Sequence, residues 1–208
     1  TSNGTEAGTV QVRDIYPGGD GSGLSNLFGA GSRIFFSADD GVHRDELWTS
    51  DGTAAGTTMV ANIETGDWSS RPRDFVAFDG ALFFAADDVT HARELWRSDG
   101  TEAGTVLVKD IYPDAGSSHP GDLVVMGGTL YFTASEHSHG EELWKSDGTE
   151  AGTVLVKDIR PGLASSLISE LTPAAGTFFF FANDGAAGTE LWKSDGTEAG
   201  TVMVKDIR

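Results

Sequence analysis

The sequence predicts an all-β protein: a propeller-like array of four 48-residue, four-stranded antiparallel blades with one extra N-terminal strand. Three observations predict it. The first is a gapless internal repeat. Trp48, Trp96, Trp144 and Trp192 stand 48 residues apart, and so do Gly4, Gly52, Gly100, Gly148 and Gly196. The second is the lack of any helical pattern. No stretch keeps apolar residues at i, i+3, i+4 and i+7 over three turns, and short β-rich runs alternate with glycine-rich turns. The third is the size of the unit. Four short strands in 48 residues match one propeller blade, for which about 40–50 residues is usual.

The third unit shows the elements in order. Residues 122–126 (DLVVM) form the first strand, a, and Gly127-Gly128 form a hairpin turn of the composition that positive φ requires. Residues 129–134 (TLYFTA) form strand b. Leu130 and Phe132 face one side of the pleat and Tyr131 the other, so strand b is apolar on both faces, as a strand buried between layers must be. A polar turn leads to strand c, 141–145 (EELWK). The turn 146–152 (SDGTEAG) then leads to strand d, 153–159 (TVLVKDI). The invariant tryptophan is a large apolar group suited to a blade–blade interface. One blade cannot cover its own faces, so several must stack.

The units are 17–64, 65–112, 113–160 and 161–208, one continuous repeat domain. Residues 1–16 duplicate residues 193–208 and supply one more strand d than four blades need. Thr9 to Ile15 is therefore expected to complete an a–b–c sheet of a preceding blade, in another copy or in further parts of a longer protein. An unpaired strand edge is otherwise an aggregation liability.

Residues 142–159 (ELWKSDGTEAGTVLVKDI) resemble the ELWxxDGT repeat of large bacterial secreted and surface proteins. The likeness runs through the whole chain, is specific over the c–d hairpin and is looser elsewhere. Two copies depart from it: Asn3 replaces the aspartate, and Ala54 stands where other copies have glutamate. The resemblance implies a repetitive extracellular, bacterial β-protein with no assigned reaction and no catalytic residues to carry over. Ala182, Asp184, Gly188 and Trp192 are also similar in offset to the docking motif of quinoprotein-type propellers. There the tryptophan falls on a different strand, so this similarity supports only the propeller.

Composition narrows the function classes. The chain has 14 basic and 32 acidic side chains, a net charge of −18. That argues against nucleic acid, whose phosphates demand a basic surface, and against anionic membranes. No cysteine is present, which excludes disulfides, thiolate metal sites and a cysteine nucleophile. The longest apolar run, 177–182 (TFFFFA), is of strand length, far short of the roughly 20 residues that span a bilayer. The opening TSNGTEAGTV has neither the charged nor the apolar region of a signal peptide, so none is expected in this segment. Calcium, polysaccharide, a basic protein and further copies of the repeat remain as partners.

Candidate sites follow from the columns. The b–c turns carry Asp40, Asp88, Glu136 and Asp184. Clustered carboxylates and turn carbonyls can hold calcium, while Asp-Gly turns also form without a metal. Asp51, Asp99, Asp147 and Asp195 in the Ser-Asp-Gly-Thr turns read mainly as Asx turns. Glu46, Glu94, Glu142 and Glu190 form either a ring of carboxylates or, the favoured reading, cross-strand pairs with Arg13, Lys109, Lys157 and Lys205. His43, His91 and His139 share a column but stand in separate blades, too far apart for one metal unless they line the axis, and His137 with His139 makes a weak metal pair. Glycoside hydrolysis needs two carboxylates in unlike environments, which a repeat does not provide. Symmetry breaks at Asp67, Trp68, Arg71 and Arg73 in the second d–a loop and at His119 in the third. These residues are candidates for contact with a sugar or a protein, and Trp68 could instead pack over the adjacent blade.

The function these readings favour is a non-catalytic extracellular repeat module with a structural, adhesive or assembly role. The alternatives are a lectin with one equivalent site per blade, and a propeller enzyme, carbohydrate-active or quinoprotein-like, with its site in the symmetry-breaking loops.

Overall fold

The computed structural model describes residues 1–18, 21–114 and 116–207. Blade 1 holds β1 (Ser25–Ala30), β2 (Arg33–Asp39), β3 (Asp45–Ser50) and β4 (Thr58–Ala61). Blade 2 holds β5 (Arg73–Phe78), β6 (Ala81–Asp88), β7 (Ala92–Ser98) and β8 (Val106–Lys109). Blade 3 holds β9 (Gly121–Met126), β10 (Thr129–Glu136), β11 (His139–Ser146) and β12 (Val154–Lys157). Blade 4 holds β13 (Ser169–Ala174), β14 (Thr177–Asn183), β15 (Thr189–Ser194) and β16 (Val202–Lys205). Each blade is a separate antiparallel sheet whose strands pair in chain order, and no helix occurs among the described residues. The fold is therefore the four-bladed, propeller-like array that the repeat predicts.

The first strands, β1, β5, β9 and β13, touch one another in succession and so lie innermost. Each is bulged, and a residue with positive φ marks the bulge: Asn26 (54°), Asp74 (58°), Asp122 (51°) and Glu170 (61°). A bulge re-aims a side chain that alternation would otherwise send elsewhere. The a–b hairpin in blade 3 turns through Gly127 (φ 60°) and Gly128 (φ 77°), the two positive values of a type I′ turn.

Register explains the tryptophan column. Phe36, Phe84, Phe132 and Phe180 on the second strands pair with Trp48, Trp96, Trp144 and Trp192 on the third. This phenylalanine–tryptophan side of a blade faces the preceding blade. The opposite side carries Phe35, Leu47, Val60 and Ile63 in blade 1, which pack on Leu82, Phe84, Ala86 and Trp96 of blade 2. Equivalent residues join blade 2 to blade 3 and blade 3 to blade 4. The core is thus three copies of one interface. Each large apolar side chain it buries contributes roughly 1.5–3 kcal/mol.

Over residues 1–16 no strand forms within the single chain. The turn forms as in the other copies, but no strand follows. The segment lies in the place of a preceding strand d: Ile15 packs on Phe36, Ala38 and Trp48 of blade 1. The Arg13 guanidinium lies 5.8 Å from the Trp48 ring centroid and donates to the Thr57 carbonyl at 2.5 Å. Among the described residues no strand c edge lies beside the segment, so its backbone has no ladder to join.

Candidate functional site

The invariant glutamates are neither an axial ring nor cross-strand partners of the basic column. Glu46, Glu94 and Glu142 are fully buried. The Glu94 carboxylate accepts from the backbone N–H groups of Ile111 (3.0 Å), Tyr112 (3.3 Å) and Ser118 (3.0 Å) and from the Ser118 hydroxyl (2.6 Å). Glu46 accepts likewise from Ile63, Glu64 and the Ser70 hydroxyl. Burial pushes the carboxyls of Glu46, Glu94 and Glu142 up to about 7, and their donors pull the other way without cancelling it. Each glutamate pins the loop that leaves its blade. The serine it binds also ties the blades through its backbone: the Ser118 N–H donates to Arg93 O (3.1 Å), and the Ser118 carbonyl accepts from the Ser135 N–H (2.8 Å). The basic column points across the interface instead, where Lys109 donates to Thr153 O and Lys157 to Thr201 O.

The Ser-Asp-Gly-Thr turns bear out the Asx-turn reading. The Asp99 carboxylate accepts from the Thr101 N–H (2.9 Å) and hydroxyl (2.6 Å), and the Thr101 hydroxyl accepts from Gly104 N–H (3.0 Å). Asp51, Asp147 and Asp195 repeat the pattern. The Thr hydroxyl, then its N–H, hold all four carboxyls below their usual value. A Cβ on Gly104 would lie 2.0 Å from Asp99 Oδ1. That clash explains the glycine that recurs after each alanine.

The b–c turns and d–a loops share one face of the array. There Asp40 Oδ1 accepts from the backbone of Val42 and His43, and its Oδ2 lies 2.9 Å from His43 Nδ1. Asp88 pairs in the same way with His91 (2.8 Å) and Glu136 with His139. Asp184 accepts from Ala186 and Ala187 N–H at 2.8 Å. The histidine column is therefore matched to these acids blade by blade. Among the described residues no three His, Asp or Glu side chains converge as metal ligands.

The symmetry-breaking residues lie on the same face. Trp68 is 71% exposed and is not buried over a neighbouring blade; Asp67 beside it is exposed as well. Arg71 and His119 hold the same column in successive loops, both with positive φ (44° and 48°). Around His119 the repeat departs furthest. Arg93 is buried and ion-paired with Asp87. Partial desolvation, then the charges of Arg93 and Arg73, hold the His119 imidazole below its usual value.

Sequence reasoning missed the axis. Asp74, Asp122 and Glu170 line a cavity of about 400 Å³ between the innermost strands. Desolvation and the neighbouring carboxylates Asp74 and Glu170 raise the Asp122 carboxyl. The spacing of 48 residues joins these acids in one column, but only the bulges turn them inward.

Comparison with known proteins gives the fold and no more. No family model matches the chain, and no curated protein does. Solved structures match at low identity. A puromycin hydrolase is 17% identical with a TM-score of 0.58, over 90% of this chain and 28% of that one. A prolyl endopeptidase is 13% identical with a TM-score of 0.54, over 83% and 24%. The computationally designed Ika8 protein is 15% identical with a TM-score of 0.50, over 91% and 51%. The chain thus spans about half or less of the length of these structures. The class is a propeller-type, all-β repeat protein. Among the described residues no helix is long and apolar enough to cross a membrane.

Proposed function

We propose that this is a non-catalytic structural module, a rigid acidic scaffold of the kind its resemblance to bacterial extracellular ELWxxDGT repeats implies, with an adhesive or assembly role. One observation carries this reading. The strongly perturbed carboxyls, Glu46, Glu94 and Glu142, are fully buried inside the blade junctions, where they accept backbone N–H groups. A catalytic carboxyl with a raised pKa has to reach substrate. Here the same environment recurs between successive blades and holds structure.

One observation favours a second reading, a single ligand contact on the face of the d–a loops. Exposed Trp68 and the Arg73, Arg93 and His119 group break the symmetry there. A titration against a glycan panel, joined to a hydrolase screen, separates the readings. The scaffold reading expects no saturable ligand and no turnover. About four equivalent ligands per chain would make it a lectin. Turnover abolished by His119→Ala would make it an enzyme. A calcium-induced rise in melting temperature, lost in Asp88→Asn, would place the ion at the b–c turns.

A further inference from the structure

The three junctions between blades are not filled alike. At the junction of blades 2 and 3, Phe78 packs on Phe83 with ring centroids 5.4 Å apart. The two rings close over Gly148, where an added Cβ would meet Phe83 at 3.2 Å and Phe78 at 4.0 Å. The column of Phe78 carries Met126 at the junction of blades 3 and 4, where it packs against the cluster of Tyr131 and Phe178. At the junction of blades 1 and 2 the same column carries Ala30. Over Gly100 the contact comes from Phe35, 3.7 Å from an added Cβ. The large side chain of the other two junctions is replaced by a methyl group, and a cavity of about 500 Å³ stands there. That lies within the roughly 300–1,000 Å³ of small-molecule sites. Its walls are two adjoining blades, and buried Phe35 and Leu82 form an apolar floor.

The rim of this cavity carries two unpaired charges. Arg33 stands where blades 2 and 3 have Ala81 and Thr129, and Asp79 stands where blades 1 and 3 have Gly31 and Gly127. Both line the cavity and both are exposed. Among the described residues neither makes an ion pair. Asp99 also lines the rim, but its Oδ1 is held by the Thr101 N–H and hydroxyl. Asp79 is therefore the rim carboxylate with both oxygens open.

We propose that this cavity binds a free α-amino acid with a phenyl-sized apolar side chain, of which phenylalanine is the type. The side chain takes the place that Phe78 fills at the next junction. The α-carboxylate meets the Arg33 guanidinium, which pairs with a carboxylate through two N–H groups. The α-ammonium meets Asp79. One carbon of the ligand bears all three groups, so a ligand of this class answers the gap and both charges together. The overall charge of −18 repels a ligand that is only an anion, and the ammonium group offsets that repulsion. The site goes beyond the scaffold reading and does not depend on it.

Titration of the isotope-labelled full chain with phenylalanine, followed by NMR, tests it. Shifts should centre on Ala30, Arg33 and Asp79 and saturate with a Kd of about 0.1–1 mM. Glycine has both charges and nothing for the gap, and should not bind at about 10 mM. N-acetylphenylalanine and phenylalanine amide each lack one charge, as the two ends of a peptide do, and should bind at least about fivefold more weakly. Arg33→Gln and Asp79→Asn change exposed side chains, so each should fold, and each should weaken binding by about the same factor. Ala30→Phe rebuilds the closed junction and should abolish binding while the melting temperature holds or rises. No saturation by phenylalanine at about 10 mM, or wild-type binding in Ala30→Phe, would overturn the site. Glycine binding as tightly as phenylalanine would overturn the role of the gap. Wild-type affinity in both charge variants, or for both capped analogues, would overturn recognition of the zwitterion. Glycan binding or turnover would end the scaffold reading without touching this result.

Discussion

Replacing Glu94 should open the junction between blades 2 and 3. Its carboxylate is fully buried and accepts from four donors, the N–H groups of Ile111, Tyr112 and Ser118 and the Ser118 hydroxyl. Glu94→Ala strands these donors in a site without solvent. Each unsatisfied group costs about 1–3 kcal/mol, and relaxation of the loop recovers part of that, so a loss of about 3–5 kcal/mol is expected. Ser118→Ala removes one donor and leaves the carboxylate three others, for a loss of about 1–2 kcal/mol. Urea denaturation followed by tryptophan fluorescence measures both. A double-mutant cycle should show coupling of at least about 0.5 kcal/mol, because the two groups share one bond. Hydrogen exchange at Ile111 and Ser118 should rise first in Glu94→Ala, since a repeat array opens between neighbouring units. A loss below about 1 kcal/mol for Glu94→Ala, or additive effects in the cycle, would refute the staple.

Stability should peak near pH 4, between the two sets of carboxyls. The buried carboxyls of Glu46, Glu94 and Glu142 titrate near 7 in the folded chain against 4.5 ordinarily, so the folded state holds more protons and stability falls as pH rises through that window. The upper bound is about 3 kcal/mol per carboxyl. Asp51, Asp99, Asp147 and Asp195 lie below 3.8, so their contribution is lost as pH falls beneath that value. Melting curves from pH 3 to pH 9 check both limbs, and a flat profile above pH 5 would contradict the burial of the glutamates. Gly104→Ala places a Cβ 2.0 Å from the Asp99 carboxylate and should displace it from Thr101, lowering the urea midpoint. Trp144→Ala should cost about 3–5 kcal/mol, whereas exposed Trp68→Ala should change stability by less than about 0.5 kcal/mol. Equal effects from these two tryptophans would show that the interface assignment is wrong.

Much of the fold was legible because the chain states it four times. The spacing of tryptophan, glycine and serine gave the blades, and the two-sided strands b and the Gly-Gly turn gave their order. The Asx turn was legible for a local reason: Asp99, Thr101 and Gly104 are close in sequence, so their hydrogen bonds need no tertiary contact. The link between Glu94 and Ser118 was not legible. Both columns are invariant, but they lie 24 residues apart, and pairing each glutamate with a nearby lysine satisfied the same pattern. Which donors met the carboxylate depended on how the d–a loop crossed to the next blade.

The sequence by itself determined the repeat, the strands and the turns, because hydrophobic period and glycine placement act over a few residues. Tertiary structure alone decided the rest. It turned Asp74, Asp122 and Glu170 to the axis through bulges, sealed the glutamates at the junctions, and left residues 9–15 without a ladder. A strand needs a partner edge and a carboxyl's pKa depends on what surrounds it, and neither is a property of the local chain.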